Sequence, residues 1–156
     1  TKINPDEDIV SSGLISKKLL LSKIEIALAG RAAEIIVYGE NEITQCSAND
    51  ISYATSIVRE MVTKYGFSII GPISLENKSE LSIGDGFVRN KSIIADNTYS
   101  RIDNEIINIS KISLNNAMNI ICNNRILLEK LVDLLIIKET IENKIFKKIT
   151  FDLLKV

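Results

Sequence analysis

Between Ser47 and Gly66, apolar residues recur at spacings of three and four: Ile51, Ala54, Val58, Met61, Val62 and Tyr65. Such positions fall on one face of an α-helix and on no single face of a strand. The polar tetrapeptide Ser47-Ala48-Asn49-Asp50 opens the stretch, and Gly66 stands where a C-terminal cap glycine belongs. Ser47 and Asp50 fit the Ser-x-x-Asp/Glu capping pattern, in which two side chains satisfy free amides of the first turn. An acid there also meets the positive end of the helix dipole. Asp50 thus stands at the mouth of an amphipathic helix, as a structural cap or as a metal-ligating or catalytic carboxylate. Spacing favours the cap, because most such patterns are only helix starts, but it leaves both readings open.

The same periodicity runs through most of the chain. From about Ser16 to Tyr38, Leu20, Ile24, Ala27, Leu28, Ala32 and Ile35 make one wide apolar stripe, with Ser16 as N-cap and Gly39 as stop. Gly30 lies inside that helix, where it costs about 1 kcal/mol relative to Ala. Close approach of another backbone is the simplest reason for it. Glu40 to Gln45 connects this helix to Asp50. From Phe67 to Asn90 the texture changes to Gly-Pro, Glu-Asn-Lys and Gly-Asp-Gly turn signals, so one long loop or a small hairpin is expected around 67–94. Gly84-Asp85-Gly86 lacks the spacing and the Lys-Ser/Thr of a phosphate loop. From about Asp96 the pattern is helical to the end. Ile102, Ile106, Ile109, Ala117 and Ile120 form one stripe, and Ile107, Leu114 and Ile121 a second beside it. Two adjacent stripes predict a helix packed between others. Asn123-Asn124 breaks it. Leu127, Leu131, Leu134 and Leu135 mark a further helix, and Ile141, Ile145 and Ile149 a last one. The expected fold is mainly all-α, a bundle of about five helices with one long loop.

Composition excludes several functions. The length of 156 residues suits one domain with a real core. Nineteen basic and twenty acidic residues are spread along the chain for a net charge of -1, so no basic stripe for nucleic acid exists. No apolar run approaches the ~18 residues of a membrane span. The N-terminal residues Thr1 to Asp8 lack the charged-then-apolar order of a signal peptide and begin without Met, so a piece of a longer chain is expected. The chain has no histidine, which removes His-dependent triads and complete His-containing zinc sites from this chain acting alone. Cys46 and Cys122 are too few for a disulfide framework, and a reduced compartment is the default, with a bridge between them left open.

Several segments resemble one family in the same order. They are IALAGRAAEIIVYGE (Ile26–Glu40), SANDISYATSIVREMVTKYGFS (Ser47–Ser68), IGP (Ile70–Pro72), RIDNEI (Arg101–Ile106), NNAMNII (Asn115–Ile121), NNRILLEKLVDLLI (Asn123–Ile136) and KETI (Lys138–Ile141). Together they resemble the peptidase domain of the FtsH family of membrane-anchored AAA+ zinc metalloproteases, over nearly all of the chain.

The resemblance implies that residues 1–156 are the C-terminal part of an FtsH-like peptidase domain. In that family zinc is held by two histidines of a His-Glu-x-x-His helix and by a later aspartate, and the glutamate is the general base for the zinc-bound water. On this alignment Asp50 is the third zinc ligand, with the histidines outside this chain. This chain alone should therefore be inactive. The resemblance further implies ATP in an ATPase module of the parent, a homo- or hetero-hexamer of FtsH-like subunits, protein substrates, and attachment to a membrane through an N-terminal segment. The membrane would be bacterial, plastid or mitochondrial. Heavy use of Ile, Lys and Asn, which accompanies AT-rich genomes, tilts this toward an organelle such as a plastid. Cys46 stands where the family tends to have Gly, next to the site, where a side chain could restrict the backbone. That departure motivates an alternative: a catalytically inactive FtsH-like scaffold subunit of a protein quality-control or translocation complex, with Asp50 kept as a cap.

Overall fold

A computed structural model describes residues 15–72, 74 and 96–154. Five α-helices account for most of them: α1 (Lys17–Tyr38), α2 (Ala48–Thr63), α3 (Asp96–Asn123), α4 (Arg125–Lys138) and α5 (Asn143–Leu154). Two short 3₁₀ turns, Glu40–Glu42 and Gln45–Ser47, lie between α1 and α2. No strand occurs among the described residues. The all-α expectation is therefore met. Most of the expected loop around 67–94, including Gly84-Asp85-Gly86, lies outside the described residues.

Local chemistry fixes the ends of α1 and α2. Ser16 has extended backbone angles, and its Oγ accepts a hydrogen bond from the Leu19 amide at 3.2 Å, as an N-cap should. Gly39 ends α1 at a positive φ of 86°. Beyond α2, Gly66 has φ 64°, and the Phe67 amide donates to the Met61 carbonyl at 2.9 Å. That bond reaches back six residues around a left-handed glycine and closes the end of the helix. A Cβ on Gly66 would stand 2.7 Å from the Pro72 Cα, so both angle and space require glycine here.

The core is shared by three helices. Leu20, Ile24 and Leu28 of α1 meet Ala54, Val58, Met61 and Val62 of α2 and Ile102 and Ile106 of α3. Each of the three helices packs against the other two. Ala27, Ile51 and Ile109 pack against this cluster as the stripes predict. Full burial of one such side chain is worth about 1.5–3 kcal/mol, so this cluster is the main support for everything attached to it. Polar groups reinforce the join. Asn116 of α3 donates to the Glu25 carboxylate of α1 at 2.9 Å. The buried Glu105 of α3 accepts from the Ile69 amide at 3.3 Å, tying the segment after α2 to α3.

Two sequence expectations are corrected. Gly30 is exposed, and nothing lies within 4 Å of where its Cβ would be, so no backbone approaches it closely. Of the second stripe on α3, Ile107 is half exposed, and Ile120 of the first stripe is also exposed. The reason is that α1 and α2 cover only one side of α3, which therefore is not enclosed by its neighbours. The helices α4 and α5 carry the predicted apolar repeats, yet α4 contains no buried residue.

Candidate metal centre

Asp50 lies in the first turn of α2, exposed to solvent. Among the described residues its carboxylate takes part in no hydrogen bond or ion pair. The capping box predicted for Ser47 and Asp50 is not formed. Ser47 has φ -88° and ψ 10°, close to helical, and makes no side-chain capping bond. An N-cap needs an extended residue whose side chain folds back on the following amides, and a nearly helical serine cannot do this. The Ser47 hydroxyl is instead buried, without a hydrogen-bond partner among the described residues.

The cap sits three residues upstream. Thr44 has φ -107° and ψ 171°, and its Oγ1 accepts from the Cys46 amide at 3.3 Å. The 3₁₀ turn Gln45–Ser47 then runs directly into α2, with the Ala48 amide donating to the Gln45 carbonyl. Asp50 consequently rides on the second turn of a continuous helical backbone. Its carboxylate takes no part in capping among the described residues.

Thr44 is itself anchored. Its hydroxyl donates to Glu34 Oε1 on α1 at 2.6 Å. A hydroxyl-to-carboxylate bond of that length is at the strong, charge-assisted end of the range. Arg31, one turn before Glu34, holds the other carboxylate oxygen at 3.6 Å, an ion pair too long to be a hydrogen bond; Oε2 has no hydrogen-bond partner among the described residues. Neither Glu34 nor Thr44 was marked by the sequence. They are ten residues apart across a connector, and no periodic pattern relates them.

Cys46 and Cys122 are both free, exposed thiols. The bridge left open by sequence is not made. Glu139 is the only non-glycine residue with positive φ among the described residues, so Cys46 occupies backbone space open to any L residue and needs no glycine.

The donor chemistry fits zinc in part. One exposed, unpaired carboxylate on a rigid helix start is a suitable oxygen donor for zinc. No group of three His, Cys, Asp or Glu side chains able to hold a metal occurs among the described residues. Asp50 can therefore be one ligand of a zinc ion and never the whole site.

The described residues form an all-α unit with one exposed carboxylate, Asp50, in the first turn of α2. The model of peptidase family M41 matches residues 1–149. The chain is 44% identical over 137 residues to an ATP-dependent zinc metalloprotease FtsH of Cyanidium caldarium, covering 87% of this chain and 22% of that relative. It is 32% identical over 150 residues to ATP-dependent zinc metalloprotease FtsH 3 of a Synechocystis strain, covering 92% and 24%. It is 35% identical over 136 residues to the chloroplastic ATP-dependent zinc metalloprotease FTSH 8 of Arabidopsis thaliana, covering 87% and 20%. The chain belongs to the FtsH family of zinc metalloproteases, peptidase family M41. It spans between a fifth and a quarter of the length of these relatives.

Proposed function

We propose that this chain is the C-terminal part of the peptidase domain of an ATP-dependent zinc metalloendopeptidase that degrades membrane or misfolded proteins. Asp50 supplies the third zinc ligand, and the histidines that complete the site lie outside this chain. The observation that carries the reading is the state of Asp50. An acid near a helix start is often taken up by capping, yet here Thr44 caps and Asp50 has no hydrogen-bond partner among the described residues. Once bound, zinc would lower the pKa of its water and polarise the scissile carbonyl. The part played by this chain is narrower. It holds one oxygen donor rigidly on α2, and the three-helix core holds α2.

ATP would act in an ATPase module of the parent, the subunits would assemble into a homo- or hetero-hexamer, and the membrane would be reached through a segment outside this chain. No described helix is long and apolar enough to cross a membrane. Relatives come from a Synechocystis strain and include a chloroplastic protein, which supports a bacterial or plastid location, with a plastid as the leading one. The scaffold alternative rested on Cys46, and its backbone angles supply no strain that would disable the site.

The test uses the parent protein. Asp50→Asn keeps size and helix but removes the charge that zinc requires. The expected result is loss of bound zinc and of chelator-sensitive proteolysis, with unchanged thermal unfolding when both proteins are compared zinc-free. Full zinc content and full activity in Asp50→Asn would contradict the proposal.

A further inference from the structure

Resting on the reading of Asp50 as a zinc ligand, we infer that Thr44 and Glu34 are positioning residues for it. They form a strap that sets the direction of the helix start carrying the carboxylate. Asp50 has no side-chain partner among the described residues, so its direction depends on the backbone beneath it. That backbone is set at Thr44. The Thr44 hydroxyl has one proton, and the 2.6 Å bond commits it to Glu34 Oε1. A lone pair is then left for the Cys46 amide at 3.3 Å. One side chain thus fixes the connector against α1 and caps the helical backbone of α2 at the same time. From Cys46 to Asp50 that backbone is helical without interruption, through the 3₁₀ turn and into α2. Four residues are about one helical turn, so the orientation set at the Cys46 amide reaches Asp50 with little slack.

The carboxylate end of the strap is equally constrained. Glu34 is on α1, whose buried residues Leu20, Ile24, Leu28 and Ala32 lock that helix into the core. Arg31 sits 3.6 Å from Glu34 Oε2, and both side chains are mostly shielded, at 15% and 19% exposure. In that partly desolvated setting the anion favours donors that reach it, and Thr44 is one. The strap therefore connects the rigid core to the start of α2 by a route separate from the apolar face of α2. The apolar face sets where α2 lies. The strap sets how its first turn, with the carboxylate, leaves the connector. Partners beyond the ligands commonly tune metal sites in this way, and their removal costs about 10–100-fold in metal affinity.

The experiment compares Thr44→Val, Thr44→Ser, Glu34→Gln and Asp50→Asn in the full parent protein. Zinc affinity is measured by competition with a chromogenic chelator. Hydrogen exchange of the peptide spanning 43–50 is measured on the zinc-free protein. Thr44→Val keeps the shape and loses the hydroxyl, so zinc affinity should fall about 10–100-fold, with faster exchange of the Cys46 amide. Thr44→Ser restores the hydroxyl and should restore both readouts. Glu34→Gln keeps an acceptor for Thr44 without the charge and should fall between them. A stabilising surface bond with no positioning role would shift unfolding without this pattern of zinc affinity and rescue. Unchanged zinc affinity in Thr44→Val, beside a damaged Asp50→Asn, overturns the strap while leaving the ligand reading intact. Unchanged zinc affinity in Asp50→Asn overturns the ligand reading and the inference with it. If Thr44→Val fails to fold, Thr44→Ser and Glu34→Gln decide: equal zinc affinity in wild type and Glu34→Gln, with no change in exchange, overturns the strap.

Discussion

The three helices α1, α2 and α3 and the pair α4 and α5 are drawn from similar residues and reach different ends. Among the described residues, every fully buried apolar side chain belongs to the first group. The helix α4 has Ile126, Leu127, Leu128, Leu131, Val132, Leu134, Leu135, Ile136 and Ile137 in fourteen residues, yet none is buried, and Ile136 and Ile137 are 75% and 77% exposed. Among the described elements it packs on α3 and α5 alone. What separates the groups is arrangement. The buried residues of α2 lie in one stripe that two neighbours can cover together, whereas α4 is apolar on several sides and two neighbours cannot cover it. Burial, and the rigidity that follows from it, depends on the angular distribution of apolar groups more than on their number. Asp50 sits on α2, within the group that carries the core, and α4 and α5 make no contact with α2 among the described residues.

That contrast can be broken or sharpened by substitution. Met61 is fully buried between the three helices, so Met61→Ala should destabilise the chain by about 2–5 kcal/mol in urea unfolding. A loss under about 1 kcal/mol would mean that the three-helix core is looser than its packing indicates. Gly66→Ala meets a left-handed φ and the Pro72 Cα at 2.7 Å, and should cost about 1–2 kcal/mol from the angle alone. The same substitution at Gly30 should act in the other direction. That site is open and helical, and Ala there should stabilise by up to about 1 kcal/mol, readable as a rise in unfolding temperature. Smallest of all is Ile136→Ser on α4, expected within about 0.5 kcal/mol of wild type because the side chain is already in solvent. A large loss from Ile136→Ser would show that α4 is buried by something in the assembled protein, and the contrast would then be one of partners and not of packing within the chain.

Sequence carried the helices well, and the reasons are local. The stripe Leu20, Ile24, Leu28, Ala32 and the stripe Ala54, Val58, Met61, Val62 repeat at the helical period, and their burial follows directly. Asn123-Asn124 marks a break where a side-chain-to-backbone bond competes with the helix; the Asn124 side-chain nitrogen does bond the Ile120 carbonyl at 2.8 Å. What was not legible depended on angles or on distant partners. Ser47 carries the right side chain for a cap but a nearly helical backbone, and no residue pattern reports φ and ψ. Ile107 and Ile120 fit their stripes, yet whether a stripe is covered depends on how many neighbours reach it. The candidate site divides in the same way. Asp50 came from the resemblance of its segment to the family. The bond from Thr44 to Glu34 ties the connector to α1 and has no signature in spacing.

The most direct measurement is a crystal structure of the zinc-loaded parent protein, with anomalous scattering collected at the zinc edge. The account predicts a zinc ion with an Asp50 carboxylate oxygen at about 2.0–2.2 Å, on a helix start still capped by Thr44. A fully occupied zinc ion with no oxygen of Asp50 in its coordination sphere would contradict it.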